Sequence, residues 1–254
     1  MKALVINLDK ATERMAFQAA QLQSLGLEFA RLPAVTPDTL VPPTSDPYWL
    51  GWQRPLREVE KAVMASHVAA WKMVADGQAP HLILEDDALL LPGTATFLAL
   101  VEPLSDVDHI SLETRGRAKL LGAAHPAAPI ARLWQDYTGA AAYVLWPSGA
   151  RKLLAHATRA PGLADALICA AYDLASWQAT PALALQLDQC AAYGIASPIP
   201  TQSSVLAQDK PSRAGFTLSQ RAAFRTRRIA GQLQIAARRL SLLGRASRRQ
   251  VPLA

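Results

Sequence analysis

Three consecutive carboxylates, Glu85-Asp86-Asp87, follow directly on the apolar run Leu82-Ile83-Leu84. A short continuous apolar run reads as a buried strand. Acids crowded at its end repel one another, and an unpaired carboxylate taken out of water is protonated instead. A divalent cation relieves that repulsion. Mg2+ and Mn2+ take hard oxygen ligands, one or two of them carboxylates, and leave the other positions to water and substrate phosphates. The competing reading is a strand that runs out into a solvated acidic turn. Which acids would share a cation depends on the backbone. Along a strand Glu85 and Asp87 face one way and Asp86 the other; a chain that has already turned pairs Asp86 with Asp87.

Elements on either side must position these acids. Lys2 to Leu8 reads as a buried strand, and the helix opened by Asp9 or Thr12 carries Met15, Ala19, Leu22 and Leu25 at helical spacing up to Gly26. Leu27 to Leu32 reads as a second strand. This β-α-β opening predicts a parallel sheet with its ligand crevice at the carboxyl ends of the strands, where Asn7 and Asp9 would lie. Residues 36–56 are rich in proline and hold Trp49 and Trp52, as expected of a lid, an acceptor platform or a loop folded onto its own aromatics. Glu58 to Val74 is predicted as a helix, Thr94 to Val101 as another, and Asp108 to Leu112 as a strand ending near Glu113. Residues 114–132 read as a basic loop with Arg115, Arg117 and Lys119. A strand from Gly139 to Trp146 and helices over Ala150–Thr158 and Pro161–Ala175 follow, the last carrying Asp165. Ala182–Gln189 and Ala191–Ile195 are strand candidates, and Ser197–Arg213 reads as a linker.

The chain of 254 residues is 51% hydrophobic with a mean hydropathy of +0.10, enough for a sizeable core and incompatible with global disorder. No apolar run approaches the roughly 20 residues of a membrane span, and the N-terminus lacks the shape of a signal peptide. Cys169 and Cys190 lack ligand spacing and read as buried free thiols in a reducing cytoplasm. The net charge of +6 is unevenly held. Residues 209–254 contain 11 Lys and Arg against one acid, leaving 15 against 19 in residues 1–208. We therefore divide the chain into a catalytic domain, 1–208, and a basic amphipathic helical tail, 209–254. Leu218, Ala222, Ile229, Leu233, Ala236, Leu240 and Leu243 form one stripe of that tail, with most arginines off it. Such a helix can lie on an anionic membrane surface or dock on its own domain. The first is the expectation, with no nucleic-acid partner, and it places the protein in the cytoplasm, peripheral on the inner membrane.

Five stretches together resemble glycosyltransferase family 25, which includes lipopolysaccharide-type galactosyl- and glucosyltransferases and collagen galactosyltransferase domains. They are Val5-Ile6-Asn7-Leu8-Asp9 with Glu13-Arg14, Leu32-Pro33-Ala34-Val35, Glu60 through Ser66-His67 to Ala70-Trp71, Leu82 through Asp87-Ala88, and Gly139 through Leu145 into Gly149-Ala150 and Leu153-Leu154. They keep their order over roughly residues 4–170. Thr36-Pro37 replaces the usual Asp-Gly, Ala62-Val63 replaces Gly-Cys, and Asp165 lacks the preceding proline. The resemblance implies an α/β, GT-A-like (Rossmann-like) mixed sheet flanked by helices. It also implies an inverting, metal-dependent transferase that moves galactose or glucose from a UDP-sugar to a lipid-linked or oligosaccharide acceptor. On that basis Glu85, Asp86 and Asp87 hold Mn2+ (or Mg2+), and Asn7, Leu8, Asp9, Arg14, Ser66 and His67 contribute to the donor site. Inversion needs a base within reach of the acceptor hydroxyl; Asp165 is the first candidate and Glu113 the second. A catalytically silent relative that only binds nucleotide-sugar or glycan is the alternative.

Overall fold

The structure, a computed structural model, describes residues 1–137, 139–200 and 215–254. Strand alternation dictates its layers. In β1 (Lys2–Asn7), Ala3 and Val5 enter one core while Leu4 and Ile6 enter another on the opposite side. β2 (Phe29–Pro33) and β3 (His81–Glu85) follow, and β3 divides Leu82 and Leu84 from Ile83 in the same way. Strands that are apolar on both faces must be covered on both. α1 (Thr12–Ser24) and α3 (Thr94–Val101) cover one face through Leu22, Phe97, Leu98 and Val101. α2 (Glu58–Asp76), α4 (Pro147–Arg159) and α5 (Ala164–Ala170) cover the other through Met64, Trp71, Leu153 and Leu167.

The remaining strands are β4 (Ala88–Leu90), β5 (His109–Ser111), β6 (Lys119–Ala124), β7 (Ile130–Gln135), β8 (Ala142–Leu145), β9 (Ser176–Ala179), β10 (Ala184–Gln186) and β11 (Ser247–Arg249). Nine strands form a mixed sheet in the order β11-β6-β7-β9-β5-β8-β3-β1-β2, and β4 pairs with β10 beside it. β2, β1 and β3 are mutually parallel, whereas β8 runs antiparallel to both β3 and β5. The carboxyl ends of β1, β3 and β5 therefore share one edge with the amino end of β8. In open α/β sheets, ligands bind outside the carboxyl ends of the strands.

Several expectations change. The predicted loop 114–132 contains most of the β6–β7 hairpin. Ala191–Ile195 is not a strand: a 3-10 helix, Leu187–Tyr193, follows β10 and is closed by Gly194 at φ 70°. The helix expected over Pro161–Ala175 shrinks to α5. Neither Asp9 nor Thr12 caps α1, whose N-cap position is Ala11. The loop 36–56 folds onto its own aromatics: Trp49 is buried and donates its indole N–H to Pro42 O and Pro43 O, and the Tyr48 hydroxyl donates to Ala157 O at 2.6 Å.

The tail helix α6 (Leu218–Ser241) is shorter than predicted, and β11 then pairs with β6 at the sheet edge. The boundary at 208/209 and most of the expected linker Ser197–Arg213 lie outside the described residues. Cys169 and Cys190 are free. Among the described residues no helix is long and apolar enough to cross a membrane.

Candidate active site

The acidic strand end is held by its neighbours rather than left to solvent. β3 ends at Glu85, and Asp86-Asp87 make the turn into β4. Asp86 points towards the end of β1. Asn7 Nδ2 donates to its Oδ2 at 2.8 Å and Arg14 Nη1 to its Oδ1 at 3.0 Å, so both oxygens are engaged and the side chain is buried. Asn7 also donates to Ala11 O at 3.0 Å and accepts from Arg31 Nε at 2.9 Å. Arg31 goes on to pair with Asp9, which is otherwise exposed. From α1, Gln18 donates to Asp86 O and Ala88 O, while Gln21 donates to Ala88 O and accepts from Leu90 N. A turn that offers backbone groups to a buried interface needs partners for them, and these two glutamines supply them.

Glu85 and Asp87 face the other way. Gln186 Nε2 of β10 lies 3.2 Å from Glu85 Oε2 and 3.5 Å from Asp87 Oδ1. Two carboxylates thus converge on one neutral amide. Burial, then the charges of Glu85 and Asp86, push the Asp87 carboxyl up to about 7. A positive charge brought beside such a carboxyl favours its ionised form. Among the described residues no three His, Cys, Asp or Glu side chains converge as a metal cage. Two carboxylates are nonetheless a sufficient protein share for a hard divalent cation whose shell is completed by phosphate and water. The pair fits such an ion.

Behind Glu85 stands a buried chain of hydrogen bonds. His67 Nε2 lies 3.2 Å from Glu85 Oε1, and its Nδ1 lies 2.9 Å from the Tyr143 hydroxyl, which also accepts from Trp71 Nε1 at 2.8 Å. The indole can only donate, so in neutral His67 the arrangement in which every group is satisfied has Tyr143 donating to Nδ1 and Nε2–H donating to Glu85. Ser66 turns inward: its hydroxyl donates to Ala62 O and accepts from Val35 N, tying α2 to the segment after β2. His67 and Ser66, fully buried, support the crevice wall from behind. Leu8 follows β1 at the crevice edge, half-buried and directly before Asp9.

Asp165 lies in the first turn of α5, partly exposed, with Oδ1 accepting from Ala166 N at 2.7 Å. Burial raises its carboxyl pKa, the Glu85 charge adds to the rise, and His67 and Arg115 oppose it. Glu113, just beyond β5, is 1% exposed and neither of its oxygens is hydrogen-bonded. It packs against Gly139, whose φ of 126° and lack of a side chain leave the room; a Cβ there would sit 2.5 Å from Glu113 Oε1. Burial pushes the Glu113 carboxyl up to about 8, with Lys119 acting against it. Lys119, expected in a solvated loop, is instead buried, paired with Asp136 at 2.6 Å and bonded to Gln178 Oε1 and Glu113 O.

The structure therefore brings Glu85 and Asp87 together at Gln186, sets Asp165 and Glu113 within electrostatic reach of Glu85, and assigns Asp86, Asn7 and Arg14 to a bracing cluster. Gln18, Gln21, Arg31 and Gln186 escape sequence reasoning, because a buried glutamine, two half-buried ones and an exposed arginine carry no periodic signal.

No curated protein matches the chain. Among the solved structures that resemble it, two illustrate the degree of likeness. One is a Drosophila β-1,4-galactosyltransferase 7 mutant in complex with manganese, UDP-Gal and xylobiose, with a TM-score of 0.40 and 10% identity over 84% of this chain and 80% of that one. The other is a glycosyltransferase involved in glycosylation of the major capsid of PBCV-1, with a TM-score of 0.32 and 11% identity over 63% of this chain and 67% of that one. The decisive match is the profile of one family, which spans residues 1–168 and so takes in Asn7, the acid run, Glu113 and Asp165. With a mixed sheet flanked by helices and paired acids at its crevice, the chain belongs to glycosyltransferase family 25 (LPS biosynthesis protein).

Proposed function

We propose that this glycosyltransferase moves a hexose, galactose or glucose, from a UDP-sugar to a saccharide acceptor with inversion at the anomeric carbon. The acceptor is a lipid-linked or free oligosaccharide of lipopolysaccharide or another cell-surface glycan. The observation that supports this reading is the pair Glu85 and Asp87 converging on the neutral amide of Gln186 at the end of β3, with burial and the neighbouring acids raising the Asp87 pKa to about 7. Mn2+ or Mg2+ held by that pair would neutralise the charge that develops on the departing diphosphate.

The chain's own groups do the rest. His67 and Gln186 fix the two Glu85 oxygens, and the bracing of Asp86 by Asn7 and Arg14 sets the turn that aims Asp87. Asp165 is the base: it is partly exposed in the first turn of α5, and burial raises its pKa, which makes its carboxylate a better proton acceptor. The acceptor oxygen bonds to the anomeric carbon, the bond to UDP breaks with its electron pair leaving on UDP, and the hydroxyl proton passes to Asp165. Glu113 is too deeply buried to meet an acceptor.

The test is UDP release from UDP-galactose and UDP-glucose with Mn2+ and with chelator, for wild type, Asp87→Ala and Asp165→Asn, alongside calorimetric UDP binding. Metal-dependent turnover is expected, falling about 100-fold or more in either variant. Asp165→Asn should retain metal-dependent UDP binding and Asp87→Ala should lose it. Turnover unaffected by chelator, or at the wild-type rate in Asp87→Ala, would overturn the reading. Binding without turnover for any supplied saccharide would leave a nucleotide-sugar-binding protein in its place.

A further inference from the structure

Successive residues of an α-helix are about 100° apart, so positions seven apart share a face. In α6, Phe224, Gly231 and Arg238 form such a row, and it faces the body of the protein. Phe224 is buried, Gly231 packs against the Gln53 side chain, and Arg238 Nε donates to Trp134 O at 2.8 Å with its guanidinium 4.0 Å from the Tyr172 ring centroid. The stripe Leu218, Ala222, Ile229, Leu233, Ala236 and Leu240 falls on the opposite side of the helix. Its larger members are among the most exposed apolar side chains of the molecule: Leu218 83%, Ile229 47%, Leu233 65% and Leu240 68%. Of the eight large apolar side chains exposed among the described residues, these four and Leu243 just beyond them make five. A contiguous exposed patch of this kind marks an interaction surface.

The charges beside it identify the partner. Arg221, Arg225, Arg228 and Arg239 follow one edge of the stripe, between it and the docked face. Residues 215–254 contain nine arginines and no acid. A second copy packed stripe to stripe would bring two arginine rows together with no carboxylate of this segment between them. An anionic bilayer offers acyl chains to the stripe and phosphates to the arginines. We propose that α6, while docked on the body through its Phe224–Arg238 face, lies in the interface of an anionic lipid bilayer through the Leu218–Leu240 face. Because the helix is already folded and docked, binding carries no cost of ordering it.

Flotation of the full chain with vesicles tests this without any sugar donor, so its outcome is independent of the transfer reaction. Binding is expected to phosphatidylcholine vesicles containing phosphatidylglycerol, to be weak to phosphatidylcholine alone and to fall with salt. Leu233→Asp/Leu240→Asp should lose about tenfold or more in partitioning. Arg225→Gln/Arg228→Gln should lose about fivefold per cation on anionic vesicles only. Both pairs lie away from the docked face, so thermal denaturation should match wild type and certify the fold. Equal binding to both vesicle types, or unchanged binding of the leucine variant, would overturn the proposal. So would a dimer by light scattering that the leucine variant abolishes, since a second copy would then be the occupant.

Discussion

The carboxyl of Glu113 sits against Gly139 with neither oxygen hydrogen-bonded, and its nearest cation, Lys119, is turned onto Asp136 and Gln178. With a folded pKa of about 8 against an ordinary 4.5, the native state holds a proton that the unfolded chain releases between those values. Stability from this group is complete below about pH 4.5 and falls as pH rises towards 8, by about 1.4 kcal/mol per pH unit. Glu113→Gln keeps the shape and removes the ionisation. The variant should match wild type near pH 5 and exceed it by about 2 kcal/mol or more near pH 8, read by urea denaturation with chelator present. Asp87 has the same sign, but it is common to both proteins and cancels. Parallel pH profiles would show that Glu113 finds a partner in solution. Of these residues the sequence revealed the identities and the strand end, and little of the partnership. The acid run announces a charge problem, while its solution through Asn7, Arg14, Gln18, Gln21 and Gln186 is assembled from three separate elements, β1, α1 and β10.

At the scale of elements, α2 is keyed to the sheet by two side chains one turn apart. His67 and Trp71 both reach the hydroxyl of Tyr143 in β8, and His67 passes the contact on to Glu85 in β3. The hydroxyl is wholly buried, which also pushes its pKa up. Tyr143→Phe would leave the Trp71 N–H and His67 Nδ1 unsatisfied in the core. It should cost about 2–4 kcal/mol in chemical denaturation, since each orphaned group costs roughly 1–3. Metal-dependent UDP binding should weaken about tenfold as Glu85 loses its oriented support. Unchanged stability would mean that water replaces the hydroxyl. α2 itself was legible because Val59, Val63, Ala70 and Val74 keep helical period, and β1, β3 and β8 because each carries a continuous apolar run. The β6–β7 hairpin was not: Lys119 reads as a solvated loop charge unless its burial beside Asp136 is known. β11 is Ser-Arg-Arg, fully exposed and without alternation, so only its partner β6 makes it a strand.

For the whole molecule the basic C-terminus is part of the body as well as a charged surface. β11 closes the sheet edge beside β6, Val251 is buried with Leu121, Ala131 and Leu133, and Thr114 Oγ1 donates to Val251 O at 3.0 Å. Ala182 and the chain end exchange two backbone hydrogen bonds, Ala182 N to Pro252 O and Ala254 N to Ala182 O. Deleting residues 247–254 removes this burial, worth about 1.5–3 kcal/mol for the valine. It also removes hydrogen bonds worth about 1 kcal/mol each. Part of this is offset by the ordering entropy that the deleted segment no longer costs. A net loss of about 2 kcal/mol should lower the melting temperature by roughly 5 °C in a chain of this size. The deletion also bares β6 as an edge strand, so self-association at high concentration is expected alongside the lower melting temperature. Leu233→Asp/Leu240→Asp, on the solvent side of the same C-terminal region, should change neither. If the deletion melted with the wild type and stayed monomeric, the last strand would be an accessory and the domain would end before it. If it melted lower, the arginine-rich helix is anchored at both ends, through Phe224 and through β11, and carries its exposed stripe as a fixed face of the catalytic body.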